Sequence, residues 1–213
     1  MDVSDFTRMA DEAQQRELVR RVGVAQVITT GEDGWPQATL LPVLWEGDRL
    51  VMHAAFSNSQ FAGLIGRSVP ALAVVTGPNA YVSPTWYPTR AKRGLAVPTW
   101  NYQVVQFRGA LHGYDDRDRL RDAVAAVSAA HEAGRPRPWT LDDAPASLIN
   151  GLLHGVIGLE LAIQEVRAKA ELSQNRVLAD RQGVIEGLRG EPGGPGSGSY
   201  EVAEAMARTL DPA

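Results

Sequence analysis

The sequence predicts a mainly β protein with flanking helices, an α+β chain organised around an antiparallel barrel. Through residues 24–114, strand-like runs follow one another with short turns between them, and no long helix intervenes to carry a parallel crossover. Beyond residue 115 the composition shifts to alanine-rich helical runs before one more long alternating stretch. Apolar residues make up 44% of the 213 and charged residues 22%, as expected of a chain that buries a core.

Residues 8–22 are expected to be helical, because Met9, Ala13, Leu18 and Val22 fall near one face, with acids early and arginines late. "VAQVITT" at 24–30 reads as a strand and "GEDGWP" as a turn. "QATLLPVLW" and "RLVMHAA" are two further strands on either side of "EGD". "SQFAGLIG" is expected to be a short helix. "ALAVVT" at 71–76, "AYVSP" after the turn "GPNA", and "TWNYQVVQFRGALHGY" at 99–114 complete the run of strands.

"DDRDRLRDAVAAVSAAHEA" at 115–133 is an amphipathic helix with Leu120, Val124 and Val127 on one face. "DDAPASLINGLL" is a short helix opened by Asp142 or Asp143 and Pro145. In "HGVIGLELAIQEVRAKAEL" the apolar Val156, Leu159, Leu161 and Ile163 are spaced by Gly158, Glu160 and Ala162, a return to strand alternation. "NRVLADRQGVIEGL" is a helix that Ser173 could cap from about Asn175. The expected organisation is one barrel domain with flanking helices over residues 1–188, a flexible Gly/Pro/Ser linker at 189–199, and a short helix or mobile arm at 200–213.

The net charge of −4 lacks the basic excess of a nucleic-acid binder, so no nucleic-acid partner is expected. The chain has no cysteine, which removes disulfides, thiolate metal ligands, iron–sulfur clusters and a cysteine nucleophile. Neither an apolar signal core nor a membrane-length apolar run occurs, and a cytoplasmic location is expected. No nucleophile elbow, zinc-ligand spacing or phosphate-binding glycine motif is present.

The stretch "YVSPTWYPTRAKRGLAVPTWNY" at 81–102 concentrates aromatic rings around a basic loop. Pro84, Pro88 and Pro98 confine it to strand ends and irregular edges, where Trp86 and Trp100 can wall a pocket for a flat ligand. The same rings serve equally as core or interface fillers. Arg90, Lys92 and Arg93 could meet a phosphate or carboxylate. His53, at the end of an apolar strand, is a competent axial ligand for haem iron, or else a histidine satisfied by a backbone carbonyl. In "ELSQNR" at 171–176, Gln174, Asn175 and Arg176 could reach a polar ligand, with Lys169 on the same strand face as Glu171.

"GPNAYVSPTWYPTR", "VPTWNYQVVQFRGALH", "AAHEA" with the following Pro-Trp, and "GLELAIQEVRAKAELSQNR" resemble, in order and over roughly residues 10–190, the PaiB-like family of FMN-binding regulators. The resemblance implies a six-stranded FMN-binding split β-barrel, homodimeric, with cofactor sites at the subunit interface. The chain departs from the family pattern where "MDVSDF" stands in place of an aromatic and proline-containing phrase, and at three further positions. Leu40 stands where a histidine precedes Leu-Pro, Phe56 where an arginine follows the histidine phrase, and Glu171 where a lysine precedes Leu172. A phosphate-bearing flavin would miss those cations more than an apolar macrocycle would.

The same group contains the haem-dependent piperazate synthases, which close N5-hydroxyornithine into a cyclic hydrazine. By that resemblance the cofactor is haem b, or alternatively FMN, and the substrate a small amino acid. His53 would ligate the iron, with Phe56, Trp86, Trp100 and Asn101 against the cofactor. Arg90, Lys92, Lys169 and Arg176 would bind the substrate, and Thr85, Thr99 or Tyr102 would manage the leaving proton. The alternatives are an FMN-binding regulator or redox protein and a haem-degrading split-barrel oxygenase.

Overall fold

The structure, a computed structural model, describes residues 1–90 and 96–210. Seven strands form one sheet in the order β2-β1-β5-β6-β7-β4-β3. They are β1 (Val24–Thr30), β2 (Pro36–Pro42), β3 (Leu44–Glu46), β4 (Arg49–Ala55), β5 (Ser68–Val82), β6 (Thr99–Tyr114) and β7 (Val156–Glu171). The strands at the two ends of this order, β2 and β3, are consecutive in the chain with Val43 alone between them. A sheet whose edges are joined so tightly has to curl on itself, and the split barrel follows. The break comes after Pro42, where Val43 sends its N–H to the Gly23 carbonyl over 2.9 Å. The single strand expected from "QATLLPVLW" is therefore two. Counted as one bent strand they reduce seven to the six that the resemblance implies.

Two other expected breaks are absent or moved. "GPNA" is not a turn: β5 runs through it for 15 residues. Its buried residues are Ala71, Ala73, Val75 and Gly77, then Ala80 and Val82, so the alternation slips by one residue at Pro78 and Asn79. The first helix, α1 (Glu12–Val22), starts later than residue 8. Before it, Met9 donates to Ala168 O over 3.1 Å and Thr7 O accepts from Ala170, so residues 7–9 pair alongside β7 instead. "SQFAGLIG" is not a helix but a chain of turns, with Phe61 and Ala62 both donating to Asn58 O.

The remaining helices are α2 (Arg117–Glu132), capped by the Asp116 carboxylate on the Arg119 N–H, α3 (Ala146–Leu153), α4 (Leu178–Arg189) and α5 (Gly198–Arg208). Ser173 does not cap α4, which begins at Leu178 with Val177 before it and no side-chain cap. No helix among the described residues is long and apolar enough to cross a membrane.

The chain divides into two compact units. Unit 2 comprises residues 13–75 and 105–166. Its barrel interior is filled by Leu50, Met52, Phe61, Phe107, Leu111, Ile157, Leu159 and Leu161, all fully buried. Outside the barrel wall, α2 and α3 gather Tyr114, Leu120, Leu141, Ile149 and Leu153 into a second apolar cluster. Unit 1 comprises residues 1–12, 76–104 and 167–213. Its core joins Val82, Tyr87 and Leu172 to Val184, Ile185 and Leu188 of α4 and to Val202, Ala203, Ala205 and Met206 of α5. α5 is packed because its apolar stripe enters this core.

Candidate functional site

In unit 2, His53 lies one residue from the edge of the barrel core. On β4 the residues Leu50, Met52 and Ala54 are buried, while His53 is half-buried on the alternate face shared with Val51. Its antiparallel partner on β7 is Gly158. Burial pushes the imidazole pKa down, so the ring stays neutral where a free histidine would begin to charge. His53 Nδ1 is buried and has no hydrogen-bond partner.

The other histidines are accounted for by their neighbours. His112 Nδ1 sits 3.0 Å from Arg67 O, His154 Nδ1 sits 2.6 Å from Asn150 O, and His131 packs over Gly23, where a Cβ would strike its ring. No group of three or more His, Asp or Glu side chains is placed to hold a metal ion among the described residues. A metal bound at His53 would take a single imidazole from this chain.

The loop after His53 is fixed by amide side chains. Gln60 Nε2 donates to Val27 O, Thr29 Oγ1 and Gln37 O at 3.0, 3.1 and 3.2 Å, and its Oε1 accepts from Thr39 Oγ1 at 2.6 Å. Asn58 Nδ2 also donates to Thr39 Oγ1, and its Oδ1 accepts the Gln60 N–H. These bonds tie residues 58–60 to β1 and β2. Phe56, with its N–H on Gly155 O, is left 45% exposed. Beside this loop lies a half-open cleft of about 450 Å³, lined by Thr29, Thr30, Asp33, Ser59, Gln60 and Arg67 among others.

Across the same sheet face as His53, a polar chain covers β7. Glu160 pairs with Arg119 at 2.6 Å and Arg49 at 3.4 Å, and the Arg119 guanidinium lies 3.9 Å over the Tyr114 ring. Tyr114 has its hydroxyl buried without a partner, and burial raises its pKa. Sequence reasoning passed over Tyr114 and Gly158. The available signal was a glycine inside a strand, which marks a close approach by another group.

In unit 1 the described residues of the aromatic stretch make separate contacts. Trp100 is exposed, edge-on to Tyr81 with centroids 6.2 Å apart, and its indole N–H reaches Asn79 Oδ1. Trp86 packs on α4 over Gly187, whose missing side chain is the space the ring fills. Asn101 is buried, its Nδ2 donating to Ser173 Oγ at 3.1 Å and approaching Met206 Sδ at 3.2 Å. Arg176 stacks over the Tyr87 ring at 5.0 Å, and beyond it Asp180 accepts both the N–H and the hydroxyl of Thr89.

Lys169 lies 5.5 Å over the Tyr102 ring and 3.4 Å from the Glu171 carboxylate, and its pKa is raised chiefly by the Tyr102 hydroxyl. Thr85 is exposed and its hydroxyl meets Ser83 Oγ at 2.7 Å, within the single 3-10 turn Pro84–Trp86. Thr99 and Arg90 are exposed, and Lys92 lies outside the described residues. The structure brings together Tyr102 with Lys169. His53 and Phe56 belong to unit 2, and the other described candidates to unit 1.

Comparison with known proteins agrees with this architecture. The sequence profile of a family described as "Putative FMN-binding domain" matches residues 1–165. The chain is 29% identical over 214 residues to the protease synthase and sporulation protein PAI 2 of Bacillus subtilis, covering 99% of this chain and 98% of that one. It is 35% identical over 133 residues to an uncharacterized protein of Aspergillus fumigatus, covering 55% of this chain and 51% of the relative. Among solved structures, an FAD and heme binding protein from Mycobacterium smegmatis aligns with a TM-score of 0.56 and 20% identity, over 77% of this chain and 73% of that one. A flavocytochrome from Azotobacter vinelandii aligns with a TM-score of 0.51 and 15% identity, over 75% and 67%. At these identities the structural likeness is one of fold.

Proposed function

This chain belongs to the PaiB-like family of FMN-binding domains, and on that premise we propose that it is a haem-dependent enzyme whose iron His53 would ligate. The observation that carries the proposal is the state of His53. It is held neutral by burial, its Nδ1 is buried and unpaired, and unlike His112 and His154 its ring nitrogen does not meet a backbone carbonyl. A neutral imidazole on a rigid strand is the donor that haem iron takes. The exposed ring of Phe56, three residues on, offers an apolar surface to a macrocycle. Two solved proteins of this fold are described as an FAD and heme binding protein and a flavocytochrome.

The reaction we assign is closure of N5-hydroxyornithine to piperazate. The α-amine forms a bond to N5, the N–O bond breaks, and the hydroxyl leaves as water with a proton from the amine. Haem, when bound, supplies a Lewis acid at the hydroxylamine oxygen. An amino-acid substrate calls for a cation at its carboxylate. Among the described cations of unit 1, Lys169 and Arg176 are engaged with Tyr102, Glu171 and Tyr87, and Arg90 is exposed. Exposed Leu40 and Phe56 suit burial against a second copy, and we include a homodimer in the proposal.

A second reading, an FMN protein, is favoured by the cleft beside Gln60. There Arg67, Thr29, Thr30 and Ser59 could face a phosphate, although Glu32 and Asp33 in the same cleft oppose one. The absorption spectrum of the purified protein titrated with haemin separates the two. A saturable Soret band that His53→Ala removes is expected, followed by water loss from N5-hydroxyornithine. A yellow fluorescent flavin with no haem uptake would reject the haem reading.

A further inference from the structure

We propose that Tyr114 is the positioning residue of His53, its hydroxyl accepting a hydrogen bond from the imidazole Nδ1–H. The consequence for ligation rests on the haem reading above, whereas the pairing itself rests on geometry. His53 stands opposite Gly158 in antiparallel register. Their side-chain positions therefore share one face of the sheet, with Cα atoms roughly 5 Å apart. Gly158 leaves that face open, and the Tyr114 ring fills it: a Cβ on Gly158 would strike the hydroxyl end of the ring, at Cζ and both Cε atoms. The hydroxyl end of the Tyr114 ring and the His53 side chain thus share that face beside Gly158.

Both atoms are buried, and neither has a partner. Buried polar atoms without partners are rare, and at this depth water does not reach either one. The other acceptor nearby, Glu160, is already committed to Arg119 and Arg49. The Arg119 guanidinium stacked on the tyrosine ring holds it in place. A turn of the imidazole about its own torsions then joins the two groups. With the proton on Nδ1, the Nε2 lone pair is the one left for a metal.

The test is the tautomer of His53 in protein labelled with 15N-histidine and free of haem, read from long-range 1H–15N spectra. The expected result is the Nδ1–H tautomer, the minor form of free histidine. In Tyr114→Phe it should revert to Nε2–H, with the signals of His112, His131 and His154 unmoved as a check on the fold. Gly158→Ala keeps the hydroxyl but displaces the ring, and should give the same reversal. A wild-type His53 in the Nε2–H form, or one indifferent to both substitutions, overturns the pairing. Failure to take up haem with the tautomer pattern intact rejects the ligand role and leaves the pairing standing.

Discussion

Asn101 and Ser173 hold each other in the buried interior of unit 1. The asparagine amide donates to the serine hydroxyl over 3.1 Å, and that hydroxyl donates to Asn101 Oδ1 over 3.2 Å. Ser173 has a φ of 60°, and it alone of the described non-glycine residues is left-handed. The reciprocal bond holds the backbone in that region where the chain leaves β7 for α4.

Removing the bond should therefore cost more than one ordinary hydrogen bond. Asn101→Ala leaves Ser173 unpaired and opens space beside Met206, and a loss of about 2–4 kcal/mol is expected. Ser173→Gly should be milder than Ser173→Ala by about 1 kcal/mol, because glycine adopts positive φ freely. Denaturant unfolding of the three variants checks the order. An alanine variant as stable as the glycine one would show that the backbone is not held there.

Gly187 is small because Trp86 lies on it. Gly187→Val forces the indole off α4 and should lower stability by about 1–3 kcal/mol. Thermal unfolding of Gly187→Val alone and combined with Trp86→Leu would report the contact. The second substitution should recover part of the loss.

Gln60 joins the loop after His53 to β1 and β2 through one amide group. Gln60→Ala is expected to destabilise the protein by about 1–3 kcal/mol and to admit protease within residues 56–66. Gln60→Glu should be worse, since a carboxylate would face the carbonyls of Val27 and Gln37. Limited proteolysis with mass mapping reads both effects.

Tyr87 and Tyr114 both have pKa values raised by burial. An acid whose folded pKa exceeds its unfolded value binds more protons when folded. The stability it contributes is complete below about pH 10 and is lost as pH rises beyond that. Alkaline titration of tyrosinate absorbance should therefore show a late fraction, from which Tyr87→Phe and Tyr114→Phe each remove a share. A titration unchanged by either substitution would contradict the burial.

β1 was legible because its alternation survives, and β6 spans the residues that its pattern predicts. What failed was local turn and cap chemistry read without its tertiary setting. Gly77-Pro78-Asn79 has the composition of a turn, yet both units claim buried residues from β5, so the signal became a one-residue slip in phase. Ser173 has the composition of a cap, but its hydroxyl is taken by Asn101, a residue 72 positions away that no local pattern connects to it. Gln174 likewise turns inward, accepting from Leu172 N and donating to Ala170 O. His53 could be singled out by sequence, whereas Tyr114 could not, since only the folded chain lays its ring on Gly158, the residue that the β4–β7 register sets opposite His53.

Unit 1 is drawn from the first twelve residues, a middle segment and everything after Arg167. During synthesis its core must wait, with Val82 and Tyr87 already made, until α5 emerges to supply Val202, Ala203 and Met206. Residues 13–166 carry all of unit 2, which has no such dependence on the C-terminus. The order of translation thus lets unit 2 close before the last helix that unit 1 needs has been made.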